Sequence, residues 1–283
     1  MIDLHTHSTA SDGTYSPENL VHYAKEIGLS VLALTDHDTV DGCHQAQRIA
    51  SEEEIEFICG VEFNIETQLG EFHLLGYGMN IEDTRFKDLL RMCKQNRELR
   101  NKKLCERFTE NGIEIHYEQL EEMYGGEIGR PHFADFLRQK KIVKSTQEGF
   151  DKFLAFGRPF FLKTQGLNFE STCSTIKKTG GVAVLAHPMS LYLSWGKLSK
   201  KIDCLCQDGL DGIEAWNAGT KASHCMRLEQ LAQDKHILVT AGSDFHGKNK
   251  MHHQLGLNSD KTPINDSYYY NGLQEALKKA KQQ

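Results

Sequence analysis

Apolar residues along this chain follow two rhythms. Short runs stand at Ile2 to His7, Val31-Leu32-Ala33-Leu34, Glu56 to Glu62, Glu71 to Tyr77, Val182 to Ala186, Gly212 to Trp216 and Ile237 to Ala241. Runs of this length, several of them continuously apolar, are the pattern of strands buried on both faces. Between them apolar residues recur at three- and four-residue spacing. Leu20, Val21, Ala24 and Ile27 make one such stripe, with Ser16 as N-cap, Pro17 at the first helical position, Glu18 in the first turn and Gly28 as the stop. Further helices are predicted from about Val40 to Glu53, from Asn168 as cap to the Gly180-Gly181 pair, and from Leu273 to Ala280. Strands alternating with helices predict a parallel sheet. The expected fold class is α/β, a distorted (β/α)7 TIM-like barrel whose strand ends carry the chemistry.

The rhythm is interrupted between about Thr84 and Phe156, where no buried-strand run occurs. Phe86 to Asn111 reads as one long helix with Leu89, Leu90, Cys93, Leu104 and Phe108 inward, and Pro131 opens another with Phe133, Phe136 and Leu137 on one side. The predicted organisation is therefore a barrel formed by residues 1–83 and 157–283, with 84–156 as a helical insertion walling or covering the site.

Length and composition suit a large globular unit: 283 residues, 39% hydrophobic and 25% charged. The formal net charge of -6 gives no overall preference for nucleic acid and leaves only a local basic patch as a route to it. Cysteines 43, 59, 93, 105, 173, 204, 206 and 225 show no C-x-x-C pairing and read as reduced thiols of a cytoplasmic protein. Asp3 and His5 interrupt any secretory leader, and no apolar run reaches membrane-spanning length. No protein partner is evident in the sequence.

Chemistry concentrates at the ends of the apolar runs. Asp3-Leu4-His5-Thr6-His7 closes the first, and Asp12 follows in a glycine-bearing loop. Thr35-Asp36-His37-Asp38 closes the second, Gly60-Val61-Glu62 the third, Ala186-His187-Pro188 the fifth and Gly242-Ser243-Asp244-Phe245-His246 the seventh. Side chains two apart on a strand share a face, so His5 and His7 can close on one cation. A lone histidine is usually a surface or hydrogen-bonded residue. The recurrence at several strand ends points instead to a shared multinuclear metal site.

Taken with the strand histidine His73, these motifs resemble the polymerase-and-histidinol-phosphatase (PHP) family of metal-dependent phosphoesterases. The resemblance runs over nearly the whole chain. The helical segment with Arg130-Pro131-His132 is similar to the small stand-alone branch, which includes nucleoside 3′,5′-bisphosphate phosphatases and enzymes that trim short RNA from its 5′ end. The resemblance implies three divalent cations. His5, His7, Glu62 and Asp244 would hold the first, Glu62, His73 and His187 the second, and Asp12, His37 and His246 the third. A carboxylate at Asp12, where some family members carry histidine, favours manganese or ferrous iron, with zinc as the alternative.

The implied reaction is hydrolysis of a phosphate ester of a small nucleotide by metal-activated water, with Asp36, His37 and His187 as the catalytic residues. Asp36 would orient His37 or shuttle a proton; a carboxylate closing a turn is the competing reading. Arg130 and His132 would hold a second phosphate, with Arg158 as a further candidate. The alternative for Arg130 is a pair with a neighbouring glutamate. Arg91, Lys94, Arg97, Arg100, Lys102 and Lys103 read as a solvated helix face, or less simply as a track for an RNA backbone. Phe160-Phe161 reads as core, with base stacking as the other reading. The best-matching substrate is a nucleoside 3′,5′-bisphosphate losing its 3′-phosphate. The alternatives are 5′-to-3′ exonuclease action on short RNA and histidinol-phosphate hydrolysis. A non-catalytic module and an amidohydrolase acting on C–N bonds fit less well, because the ligand positions are filled and Glu62 stands where amidohydrolases carry a bridging lysine.

Overall fold

The structure is a computed structural model that describes residues 1–68, 70–125, 127–162, 165–265 and 267–282. In chain order the strands are β1 (Ile2–Asp3), β2 (Val31–Leu34), β3 (Glu56–Asn64), β4 (His73–Tyr77), β5 (Val182–Leu185), β6 (Gly212–Asn217) and β7 (Leu238–Gly242). The helices are α1 (Pro17–Glu26), α2 (Cys43–Glu52), α3 (Thr84–Glu110), α4 (Tyr117–Tyr124), α5 (Arg130–Gln139), α6 (Thr146–Gly149), α7 (Phe169–Lys178), α8 (Trp195–Gln207), α9 (Ala222–Asp234) and α10 (Ser267–Ala280). The predicted caps form: Asn19 N–H donates to Ser16 Oγ at 3.1 Å, and Ser171 N–H donates to Asn168 Oδ1 at 2.9 Å.

The strands form one sheet in sequence order, nearly closed into a barrel. After β1, the chain from Leu4 to His7 closes the seam through Leu4 N–H to Ala241 O, Asp244 N–H to His5 O and His7 N–H to Phe245 O. One expectation needs correction. The sheet is not all parallel, because β4 runs antiparallel to both β3 and β5. The few residues between β3 and β4 are too short a link for a parallel crossover, which needs about a dozen residues or more. The reversal matters for the site, since an antiparallel strand begins at the rim where its parallel neighbours end. His73, the first residue of β4, therefore reaches the rim that carries the other motif residues.

Two apolar cores coexist. The barrel core takes in Leu4, Leu32, Leu34, Val61, Phe63, Leu74, Val184, Ile213 and Val239. A second core lies within the helical region, where Phe108 stacks on Phe160 at 4.1 Å between ring centroids and α5 supplies Phe133, Phe136 and Leu137. Phe160 is thus a core residue. The long helix α3 joins the two, since Phe86, Leu89 and Cys93 belong to the barrel core and Leu104, Cys105 and Phe108 to the second. Among the described residues no helix is long and apolar enough to cross a membrane. All eight cysteines are free thiols.

Candidate metal centre

The motif residues meet at the barrel rim. Nε2 of His5 and Nε2 of His7 lie 3.1 Å apart, and each is 3.3 Å from Glu62 Oε2. His37 Nδ1 is 3.1 Å from the same oxygen. The other oxygen, Oε1, faces His73 Nδ1 and His187 Nε2, both at 2.9 Å. Asp244 Oδ1 is 3.5 Å from His7 Nε2 and 3.3 Å from His246 Nδ1. Asp12 Oδ1 is 3.2 Å from His246 Nε2. Three sets of donor atoms are close enough to share an ion: His5, His7, Glu62 and Asp244; His7, Asp12, His37 and His246; and His37, Glu62 and His73. The first matches the expected grouping. The other two differ in that His7 joins the Asp12 set and His37 stands beside Glu62 and His73 in place of His187, which falls in none of the three.

The local backbone is bent to bring these groups in. Asp38, His187 and Asp244 adopt φ of 58°, 28° and 55°. Left-handed backbone at non-glycine residues costs about 1–3 kcal/mol each and persists where the surroundings over-determine it. Two glycines permit the close packing. A β-carbon on Gly13 would lie 2.3 Å from the His7 carbonyl oxygen, and one on Gly242 would lie 2.4 Å from His5 Cβ.

The donor set fits divalent cations. His7 Nδ1, Asp12 Oδ1, Glu62 Oε2, Asp244 Oδ1 and His246 Nε2 are buried without a hydrogen-bond partner. Such orphaned atoms are rare in native proteins and need an explanation such as an ion. The neighbours also set the imidazole tautomers. Glu214 Oε1 accepts from His5 Nδ1–H at 2.8 Å, which turns the Nε2 lone pair toward Glu62. Ser190 donates its hydroxyl to Glu71 O at 2.8 Å, so its oxygen accepts from His187 Nδ1–H at 2.9 Å and again leaves Nε2 free. His246 Nδ1–H donates to Asp244 O at 2.9 Å. Hydrogen bonds of this kind orient imidazoles that bind metal.

Electrostatics show the same crowding. Burial opposes ionisation of Glu62, but His37, His73 and His5 outweigh it and hold the carboxyl well below its usual range. Burial opposes the charged ring of His7, yet the adjoining carboxylates of Asp244 and Glu62 lift it to about 9. Burial, then the charges of His7 and Lys250, bring His246 down to about 4.

The remaining predicted residues divide. Asp36, buried, accepts from Ser8 N–H at 2.8 Å, Ser8 Oγ at 2.6 Å and Ser11 Oγ at 2.5 Å, so it braces the loop that carries Asp12. Arg130 Nη2 donates to Glu71 Oε1 at 2.9 Å, the glutamate pairing that was its alternative. Burial and His73, then Arg130, set the balance at Glu71, where the cations win and hold the carboxyl at about 2. His132 accepts Gly129 N–H at Nδ1 at 2.9 Å, and burial lowers its proton affinity, so the neutral ring carries its proton at Nε2. Arg158 lies on an exposed turn, and among the described residues no side-chain bond joins it to the cluster.

Sequence reasoning missed several residues. Asp3 takes Ser243 Oγ at 2.5 Å, Ser243 N–H at 2.9 Å and Gly256 N–H at 2.8 Å, pinning the seam. Glu214 and Lys250, whose Nζ is 2.8 Å from Asp244 Oδ2, were also unforeseen. The reading of Arg97 and Arg100 as a solvated face needs correction, since both are buried. Arg97 pairs with Asp38. A signal existed: Phe86, Leu89, Cys93, Arg97, Arg100, Leu104 and Phe108 recur at three- and four-residue spacing, so the arginines continue the inward stripe.

The model of the PHP domain matches residues 3–161. The chain belongs to the PHP family. This PHP protein is a metal-dependent phosphoesterase, hence a hydrolase, and the family implies divalent cations as cofactors. A 5′-3′ exoribonuclease from Haemophilus influenzae is 33% identical, over 86% of this chain and 89% of that protein. A 3′,5′-nucleoside bisphosphate phosphatase from Chromobacterium violaceum is 29% identical, over 93% of each. Among solved structures, one described as a metal-dependent phosphoesterase from Bifidobacterium adolescentis matches with a TM-score of 0.84 and 28% identity, covering 98% of this chain and 95% of that one. Another, called an amidohydrolase, from Chromobacterium violaceum and solved with sulfate and without metal, matches with a TM-score of 0.85 and 26% identity, over 97% and 96%.

Proposed function

We propose that this PHP protein removes the 3′-phosphate of a nucleoside 3′,5′-bisphosphate, using three divalent cations held by His5, His7, Asp12, His37, Glu62, His73, His187, Asp244 and His246. Manganese or ferrous iron is the expected metal, since Asp12 adds a hard carboxylate to the set. The observation that carries the reading is Glu62, whose two oxygens face separate groups of imidazoles, His5, His7 and His37 on one side and His73 and His187 on the other. When bound, the cations supply neutralisation of the phosphoryl oxygens, a lowered pKa for water and stabilisation of the leaving oxygen.

The chain's own residues do the rest. Glu214 and Ser190 fix His5 and His187 with Nε2 inward, and Asp36 holds the Asp12 loop. His37 and His187 lie on either side of Glu62 and would help to hold the cations that stabilise the leaving oxygen. Segment 84–156 is the wall that receives the rest of the substrate. Its Arg130 must exchange Glu71 for a phosphate, and His132 Nε2–H is a neutral donor beside it. Arg158, exposed, is a further candidate for a substrate phosphate.

A second reading is 5′-to-3′ exonuclease action on short RNA, favoured by the higher identity of the Haemophilus relative. Comparing kcat/KM on nucleoside bisphosphates, 5′-phosphorylated dinucleotides and histidinol phosphate with manganese added separates the readings. Arg130→Ala should raise KM for the bisphosphate about 10- to 100-fold, the loss of about 1.4–2.7 kcal/mol of charge-assisted bonding, and leave p-nitrophenyl phosphate unchanged. An equal effect on both substrates removes Arg130 from the second-phosphate role.

A further inference from the structure

Past His246 the chain folds back against the rim. Gly247 adopts φ of 63°, and a β-carbon there would lie 2.1 Å from Thr14 Oγ1. Lys248 N–H donates to Thr14 Oγ1 at 3.0 Å, and Asn249 Nδ2 donates to Asp12 O at 2.7 Å. His253 Nδ1–H donates to Asp244 O at 3.1 Å. Residues 247–253 are thereby tied both to the loop that carries Asp12 and to Asp244 itself.

From this strap Lys250 turns inward. Its stem is partly exposed, but Nζ donates to Asp244 Oδ2 at 2.8 Å. The carboxylate is therefore divided. Oδ2 serves the ammonium, whereas Oδ1 is buried without a hydrogen-bond partner and lies 3.7 Å from His5 Nε2, 3.5 Å from His7 Nε2 and 3.3 Å from His246 Nδ1. An ammonium has donors and no acceptor, so Lys250 cannot itself ligate a cation. Its positive charge also opposes that of a cation on Oδ1. A lysine in this place weakens metal binding and so calls for a role of another kind.

We infer that Lys250 is a positioning residue for the phosphoesterase reaction, which occupies Asp244 Oδ2 so that Oδ1 alone is offered to metal. With Oδ2 engaged, Asp244 presents one oxygen and not a chelating pair. A carboxylate bonded to an ammonium is a weaker donor, and it neutralises less of the charge that polarises a phosphoryl oxygen. The inference rests on the ligand set proposed above and on no particular substrate.

The test compares Lys250→Met, which keeps the stem, with Lys250→Arg, which keeps the charge. Metal-free full-length protein is titrated with manganese alone, and the free ion is read by its EPR signal. Lys250→Met should bind manganese at least about threefold more tightly, because a like charge is gone and Oδ2 is released. With manganese added, its kcat on p-nitrophenyl phosphate should fall about 10- to 100-fold while KM changes little. Lys250→Arg should restore most of both. Weaker manganese binding together with lower kcat in Lys250→Met means that Lys250 only braces the strap, and overturns the inference. A rise in KM with manganese binding unchanged puts the lysine on the substrate and overturns it as well. If wild-type protein binds no manganese, the ligand set itself fails. If wild type binds it and Lys250→Met matches wild type in affinity and kcat, the role of Lys250 alone fails.

Discussion

On the barrel rim, acidic groups crowd together with little fixed positive charge. Asp12, Glu62 and Asp244 have imidazoles and Lys250 beside them. In the helical region the balance differs: Arg97 and Arg100 are buried on α3, Arg97 against Asp38, and among the described residues no carboxylate pairs with Arg100. The first surface offers donor atoms suited to cations, and the second buries guanidinium groups. The contrast shows that two regions can bury charge of opposite sign and still be joined, here by the Arg97–Asp38 pair.

The largest effect should come from breaking the rim. Glu62→Gln removes one anionic bridge between the imidazole groups, and kcat/KM should fall about 10⁴-fold, equivalent to about 5.4 kcal/mol of barrier. Elemental analysis should show bound metal reduced in the same protein. Activity retained within tenfold would separate the rim from the chemistry.

Cutting the link between the regions comes next. Arg97→Met leaves the Asp38 carboxylate buried and unpaired, and urea unfolding should show a loss of about 3–5 kcal/mol. The double variant with Asp38→Asn should recover most of it. Equal losses for the single and double variants would mean that the pair does not join α3 to the rim.

A smaller, pH-dependent effect sharpens the barrel side alone. Burial raises Asp3 to about 6, against hydrogen bonds from Ser243 and Gly256. The folded protein then holds a proton that the unfolded chain has released, so this contribution is present below about pH 4 and lost as pH rises through 6. The shift corresponds to about 3 kcal/mol. Asp3→Asn should flatten that part of the stability–pH profile between pH 4 and 6, relative to wild type. An unchanged profile would mean that Asp3 is ionised across the window.

The rim was legible in the sequence because strand ends carry the histidines and carboxylates of the motifs in fixed order. His5-Thr6-His7 and Asp244-Phe245-His246 announce a shared face, and Val31–Leu34 forms as an apolar run predicts. The direction of β4 was not legible from its composition, since alternation and burial are the same for either direction. The short link before it held the information. Glu214 and Asp3 were hidden because an inward acid on a strand looks like any other until its partners are known. The arginines of α3 were misread because charge was weighted above spacing; their three- and four-residue recurrence with Cys93 and Leu104 placed them inside.

The most direct measurement is anomalous diffraction from crystals of the wild-type protein soaked in manganese. The account predicts peaks flanking Glu62, within coordination distance of His5, His7, Asp12, His73, His187 and His246. Strong data with no peak among these side chains would contradict it.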